Sequence, residues 1–179
     1  GTFMAIVAII GPISALTYPI SIVLPKDEKD AKGLVKLSLI ITFVISTIVG
    51  VLLLFFNNQI ITLLGIEEIG GFIFLLPIVI LLAGFYQVIE QWFIRIKKFS
   101  VSAKAILIQA IVVNGSKVGI GLFYPAAAVL ITFSAIQQGI NALLLLLFSK
   151  GSDNRNLISS VKETVSIIRL AKTYKDFPL

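Results

Sequence analysis

The sequence contains no cysteine and no histidine, and only 13% of its 179 residues are charged. Without cysteine the chain has no disulfide, no thiol nucleophile and no thiolate metal site. Without histidine it lacks the commonest general base and metal ligand of proteins. These absences exclude a Ser–His membrane protease and a His-Glu-x-x-His zinc protease within this chain. We predict no catalytic residue, no metal site and no cofactor.

Charged residues are scarce because apolar residues take their place. Hydrophobic residues make up 58% of the chain, and its mean hydropathy is +1.04. Soluble domains carry about 25% charged residues. The charge-free runs are 1–25, 37–66, 69–89, 105–116 and 118–149. All but one reach the roughly 20 residues with which a helix crosses a bilayer. The composition therefore predicts an all-α polytopic membrane protein and disfavours a soluble enzyme or a nucleic-acid-binding module.

The sequence has two parts, an apolar one interrupted by short polar loops and a more polar one at the C-terminus. We predict a transmembrane bundle over 1–149 and a cytoplasmic linker with an amphipathic helix over 150–179. The predicted spans are 2–24, 36–56, 72–94, 102–122 and 126–148. The amphipathic helix is predicted because Leu157, Val161, Val165 and Ile168 recur at helical spacing. The first residue is Gly1 and not Met, and it already lies inside an apolar run. We therefore expect the natural start of the chain to lie upstream.

The placement of basic residues predicts the orientation of the spans. Fourteen of the fifteen Lys and Arg residues fall within 26–36, 95–104 and 150–175. Five spans put all three regions on one side, and short basic loops stay in the cytoplasm. The first residue is therefore expected outside and the C-terminal segment in the cytoplasm. The acidic residues of the first basic loop, Asp27-Glu28-Lys29-Asp30, suit a helix N-terminus better than a metal–diphosphate motif.

Polar side chains form a stripe in three of the spans. These are Ser14, Thr17, Tyr18 and Ser21 in the first span, Gln87, Glu90 and Gln91 in the third, and Ser134, Gln137, Gln138 and Asn141 in the fifth. Spacings of three and four residues place each set on one helical face. Such a face makes hydrogen bonds between tightly packed helices, or it lines a watery cavity. The bulky amides of the third and fifth spans leave both interpretations open.

Glu90 is the acidic residue of the third span. It lies about one turn from Arg95 and close to Lys97. One interpretation is a local ion pair at the membrane interface. The other is a carboxylate that gates transport or binds a coupling ion, because ionisable groups inside a membrane are commonly functional.

Lys117 is the one basic residue outside the three basic regions. It lies between Gly115 and Gly119, a spacing that lets two helices approach closely. At about 100° per residue, Lys117 points roughly opposite the glycines, and Asn114 lies about 60° from it. If the glycines pack on a neighbour, Lys117 and Asn114 face lipid or a cavity. Lys117 then either snorkels to the outer surface or offers a cation to an anionic substrate.

Three segments together resemble a known family. They are Tyr18-Pro19-Ile20-Ser21-Ile22-Val23-Leu24-Pro25 with the charged loop after it, Gln91-Trp92-Phe93-Ile94-Arg95-Ile96-Lys97-Lys98-Phe99, and Tyr174-Lys175-Asp176-Phe177-Pro178. In order and spacing they are similar to the second span and first cytoplasmic loop, the loop after the fourth span, and the segment before the seventh span of the polysaccharide biosynthesis proteins. These are the Wzx-type O-antigen and oligosaccharide flippases of the MOP (MATE-like) superfamily.

The resemblance implies a transporter of two six-helix lobes around a central cavity. Such proteins flip undecaprenyl-pyrophosphate-linked oligosaccharide across the bacterial cytoplasmic (inner) membrane for O-antigen and lipopolysaccharide synthesis, by alternating access and without enzymatic chemistry. The chain would supply five helices of the N-terminal lobe and the cytoplasmic helix, without the first span and the second lobe. The implied partners are lipid-linked oligosaccharide, the bilayer and the polysaccharide polymerase machinery, and no nucleic acid.

The polar residues then divide into two groups of candidate cavity residues. Lys117 and Asn114 are expected to bind substrate charge. The expected cavity lining is Gln87, Glu90, Gln91, Gln137, Gln138 and Asn141. The alternatives are another MOP exporter, such as a drug–cation antiporter or peptidoglycan-precursor flippase, and a membrane enzyme or scaffold of glycan assembly. In the antiporter Glu90 would matter more than Lys117.

Overall fold

A computed structural model describes residues 17–64, 67–123, 127–148, 155, 157–159 and 167–174. The helices are α1 (Tyr18–Ser21), α2 (Glu28–Leu64), a 3-10 helix (Glu67–Leu75), α3 (Leu76–Arg95), α4 (Phe99–Phe123), α5 (Ala127–Phe148) and α6 (Ile167–Thr173). The described residues contain no strand, which confirms the all-α class. Most of the first predicted span and most of the predicted amphipathic helix lie outside the described residues.

Membrane character is evident in the described helices. Three of them are long and apolar enough to cross a membrane, namely Glu28–Leu63, Gly70–Arg95 and Phe99–Ile120. A shorter apolar helical stretch covers Ile136–Phe148. These lengths and compositions are those of an α-helical membrane protein. The count of five spans stays a prediction.

Helix α2 is longer at both ends than the span predicted over 36–56. It begins at Glu28, where the Asp27 carboxylate accepts a hydrogen bond from the Lys29 backbone N–H at 3.0 Å. This bond satisfies an N–H that the first turn leaves without a partner. At the other end the helix kinks at Phe56, with φ −118° and ψ 17°, and continues to Leu64. The predicted end of the span is therefore a kink.

The span predicted over 72–94 lies within one candidate membrane span, Gly70–Arg95, which is built from a 3-10 helix and an α-helix. The 3-10 helix over Glu67–Leu75 includes Gly70 and Gly71 and precedes α3. Helix α3 then begins at Leu76 with Pro77 in its first turn. Proline suits this position because its fixed φ is helical and a first-turn N–H has no partner to lose. Pro77 therefore starts a helix and does not interrupt one.

The helices pack as a row. Helix α2 contacts α3, α3 contacts α5, and α5 contacts α4, whereas α3 and α4 share few contacts. The largest core joins the C-terminal halves of α3 and α5 to the start of α2, and its most completely buried large side chains include Trp92, Phe93, Leu34, Leu145 and Leu170. Because α3 and α5 meet through their C-terminal halves, they run in the same direction.

Basic regions that are distant in sequence meet at one end of this row. The Arg169 guanidinium binds the Asp30 carboxylate at 2.6 Å, which fixes α6 to the start of α2. Arg95 donates from Nη1 to the carbonyl oxygen of Ile22 at 3.0 Å. We call this end of the row, which carries Arg95 and the Arg169–Asp30 pair, the basic end. Its formation agrees with three basic regions on one side, and the assignment of that side to the cytoplasm stays a prediction.

Candidate functional site

One face of α4 packs against α5 and carries a buried polar residue that the sequence analysis missed. Ala105, Gln109 and Val113 recur every four residues and are 0%, 5% and 0% exposed. Lys117 is the next residue of this series, so Gln109 lies on the face of Lys117, two turns away. The spacing of eight residues from Lys117, two steps of four, was the signal that could have identified Gln109.

Lys117 and Gln137 are brought together across this contact. The Lys117 Nζ donates to the Gln137 Oε1 at 3.4 Å, at the long end of the hydrogen-bond range. Both side chains are half-buried. An ammonium group has three N–H donors, so this single long contact leaves capacity for a second acceptor. Lys117 therefore faces α5, and the structure places it in a contact between helices.

Asn114 does not share the surroundings of Lys117. Its side chain is exposed. Gly115 and Gly119 are exposed as well, and a Cβ atom added to either meets nothing within 4 Å. No described helix therefore uses the close approach that the two glycines allow. The premise that the glycines pack on a neighbour, on which Lys117 and Asn114 were expected to face lipid or a cavity, does not hold among the described helices.

Asn141 lies one turn from Gln137 on α5, hence on the same face. It is 6% exposed, and its Oδ1 has no hydrogen-bond partner. The Gln138 Oε1 is likewise buried without a partner. An unsatisfied buried acceptor destabilises the fold by about 1–3 kcal/mol. We call Gln109, Lys117, Gln137 and Asn141 the polar seam, with Gln138 beside it.

The other side of α5 packs on α3. A Cβ added to Gly139 would lie 3.0 Å from the Leu82 Cδ2, so the two helices approach closely there. Gly139 is about 160–200° around α5 from Gln137 and Asn141. The polar seam is therefore turned away from α3 and belongs to the contact between α4 and α5.

The polar residues of α3 form a separate group. The Tyr86 hydroxyl donates to the Glu90 Oε1 at 2.7 Å, and Gln87 and Gln91 are half-buried. Arg95 binds the carbonyl oxygens of Ile22 and Val23 at 3.0 and 3.4 Å. The local ion pair that was one interpretation of Glu90 is therefore replaced by a hydrogen bond from tyrosine.

Glu90 and the Lys117–Gln137 pair are well separated along the bundle. Leu82 and Gly139 are at one level, and Glu90 lies eight residues beyond Leu82, or about 12 Å toward the basic end. Gln137 lies about 3 Å to the other side of that level. Glu90 and the Lys117–Gln137 pair are therefore about 15 Å apart along the helix axes. The structure does not bring the predicted residues into a single cluster.

Among the described residues no three His, Cys, Asp or Glu side chains could hold a metal ion together. The chemistry of the polar seam is that of hydrogen bonding and of one cation. No protein-family model, curated protein or solved structure matches this chain. The resemblance of its three segments to the oligosaccharide flippases therefore stays a prediction.

Proposed function

We propose that this protein flips a lipid-linked oligosaccharide of the undecaprenyl-pyrophosphate type across the bacterial cytoplasmic membrane by alternating access. The observation that carries the proposal is the polar seam. It places one cation and several amides between two apolar helices, where polar groups are expensive and usually functional. The resemblance of the three segments to the Wzx-type proteins supplies the substrate class.

The polar seam suits a diphosphate-linked sugar chemically. An ammonium group attracts the diphosphate, and amides bond sugar hydroxyls as donors and as acceptors. The oxygens of Gln138 and Asn141 have no partner in this structure. A substrate hydroxyl would supply the hydrogen bond that each lacks. Opening of the α4–α5 contact would expose these groups, and its closing would cover them again.

Water access is the first test. The chain has no cysteine, so single cysteines can be labelled without a background. We expect Gln137→Cys in the natural protein to react with a membrane-impermeant maleimide. Ile136→Cys is the matched control, because Ile136 is 40% exposed on another side of the same helix and would face lipid. If Lys117→Cys, Gln137→Cys and Asn141→Cys all resist labelling, the seam is dry and a scaffold becomes the better interpretation.

Transport itself is the second test, measured with fluorescent lipid-linked oligosaccharide in proteoliposomes. Lys117→Gln should lower the flipping rate about tenfold, as expected for the loss of one charge-assisted contact. Lys104→Gln is the control, since Lys104 is an exposed lysine of the basic end. A variant Glu90→Gln that abolishes drug efflux, while Lys117→Gln has no effect, would favour the drug–cation antiporter.

A further inference from the structure

A pocket lies at the basic end, away from the Lys117–Gln137 pair. It has a volume of about 800 Å³ and lies between the segment that follows α1 and the C-terminus of α3. Lys26, Arg95 and Lys97 line it, together with Glu28 and Trp92. The Glu28 carboxylate already binds Lys32 at 2.9 Å. The pocket wall therefore has an excess of positive charge.

Arg95 is held in this wall by backbone carbonyls. Its Nη1 donates to the carbonyl oxygens of Ile22 and Val23 at 3.0 and 3.4 Å. These carbonyls are neutral, so the guanidinium charge is not cancelled by a carboxylate. A guanidinium has five N–H donors, and the two contacts use one of its nitrogens. Arg95 is thereby positioned without being neutralised.

Lys97 occupies a backbone position that favours glycine. Helix α3 ends with hydrogen bonds from the Lys97 N–H to the Ile94 carbonyl at 3.0 Å and from the Lys98 N–H to the Phe93 carbonyl at 2.9 Å. This pattern is a Schellman motif, whose left-handed residue is usually glycine. Lys97 adopts φ 56° there. Strained residues of this kind cluster at functional sites, and here the strain puts a lysine in the pocket wall.

Trp92 adds a buried donor next to these cations. Its side chain is 2% exposed, and its Nε1 has no hydrogen-bond partner. An indole N–H can only donate, so an acceptor is what this environment lacks. Three cations in the wall of one pocket select an anion with several oxygens, and Trp92 lines the same pocket.

We propose that this pocket binds the phosphoryl group of an anionic lipid headgroup. The pocket lies where an apolar helix ends, at the level at which headgroups meet tryptophan and basic residues. Arg95 is thirteen residues beyond Leu82, which places the pocket about 20 Å along the helix axes from the level of Leu82 and Gly139, beyond which the Lys117–Gln137 pair lies. The proposal concerns a separate site and does not depend on transport.

Trp92 is the only tryptophan of the chain, so its fluorescence reports on the pocket directly. The full chain is reconstituted in phosphatidylcholine nanodiscs at 0.15 M salt, and the fraction of phosphatidic acid is raised stepwise. We expect a saturable change in Trp92 emission. Lys97→Gly and Lys97→Asn remove the ammonium but suit the left-handed backbone. Each should raise the phosphatidic acid fraction needed for half-saturation about fivefold, the effect of one basic residue near an anionic surface.

Lys104→Gln is the matched control, because Lys104 is exposed at the same basic end but does not line the pocket. It should shift half-saturation less than about twofold, because an exposed charge that does not contact the ligand is screened by salt. The proposal is overturned if Lys104→Gln weakens binding as much as Lys97→Gly does. It is also overturned if Trp92 emission in phosphatidylcholine alone already equals its emission at the highest fraction of phosphatidic acid.

A separate titration with inorganic pyrophosphate distinguishes the source of the phosphoryl group. If pyrophosphate leaves Trp92 unchanged and does not compete with phosphatidic acid, the ligand is a headgroup held by its own lipid. If pyrophosphate reproduces the change and Lys97→Gly weakens it, the phosphoryl site stands and its ligand comes from the water phase. A response to neither ligand rejects the site.

Discussion

The contact between α2 and α3 and the contact between α4 and α5 use small and polar residues in opposite ways. In the first, Gly84 lies directly against Thr42, and the Thr42 hydroxyl donates to the Ser38 carbonyl at 2.9 Å. Ser46 donates across the contact to the Pro77 carbonyl at 2.7 Å. In the second, Asn141 is buried with its Oδ1 unsatisfied. The first contact is closed and pairs two of its three hydroxyls, since the Ser38 Oγ is buried without a partner. The unpaired groups of the second contact are amide oxygens.

The difference follows from the side chains. A hydroxyl can return its proton to a carbonyl of its own helix, so Thr42 is satisfied before it meets α3. A primary amide has two donors and a two-lone-pair acceptor, and its own helix cannot satisfy all of them. An amide on a packed face therefore needs a partner from elsewhere. The α2–α3 contact is therefore expected to contribute mainly stability, and the amides of the α4–α5 contact are the groups that the proposed function uses.

The largest effect should come from Gly84→Ala. The added methyl group would overlap the Thr42 side chain, and overpacking of this kind costs about 1–3 kcal/mol. We expect the free energy of unfolding in detergent micelles to fall by that amount. Thr42→Ala in the same chain should restore part of the loss, because it removes the overlapping atoms. An unchanged stability in Gly84→Ala would show that α2 and α3 are farther apart than described.

The helices themselves were largely predictable from the sequence. Long charge-free runs required them, because only a helix satisfies its own backbone in lipid. The first extra turns of α2 contain the acidic residues after Pro25, which suit either a solvated loop or a helix start, and the span was predicted only from residue 36. The kink at Phe56 was not predicted. The polar residues Asn57, Asn58 and Gln59 are compatible with a helix end and equally with a bend.

Contacts between residues that are far apart in the sequence were harder to predict. Arg95 was expected near Glu90, yet it binds carbonyls more than seventy residues earlier, and no local spacing encodes that. Gln109 is one of two amides in an apolar helix, and unlike Asn114 it is buried. Periodicity shows which residues share a face, and only packing shows which face is buried. The sequence thus identified most of the polar residues by their residue type. Their partners could be identified only from the fold.

The next largest effect on stability is expected for Asn141→Leu, and its sign is opposite to that of Gly84→Ala. Replacing a buried unsatisfied amide by an apolar group of similar size removes a desolvation penalty. We expect stability to rise by about 1 kcal/mol and flipping to fall, because functional sites commonly trade stability for activity. Val113→Leu, a change of a fully buried apolar residue of α4, controls for bulk. A destabilised Asn141→Leu chain that still transports at full rate would place the amide in a structural role.

Gly115→Ala and Gly119→Ala test the open face of α4. Nothing lies within 4 Å of the added methyl group at either position, and alanine favours a helix over glycine by about 0.5–1 kcal/mol. Each variant should therefore be slightly more stable than the parent, in contrast to Gly84→Ala. A loss of stability at Gly115 or Gly119 would mean that another helix packs there, and the contrast between the two contacts would disappear.

The smallest effect is expected for the pair of Lys117 and Gln137. Short hydrogen bonds to charged groups contribute about 1.5–3 kcal/mol, but the 3.4 Å separation is long. A double-mutant cycle with Lys117→Met and Gln137→Leu should therefore give a coupling of only about 0.5 kcal/mol. Ser46→Ala, which removes the 2.7 Å bond of the closed contact, should cost about 1 kcal/mol. A Lys117–Gln137 coupling larger than the Ser46 effect would mean that the two residues hold α4 and α5 together, and a ligand would then have to compete with that bond.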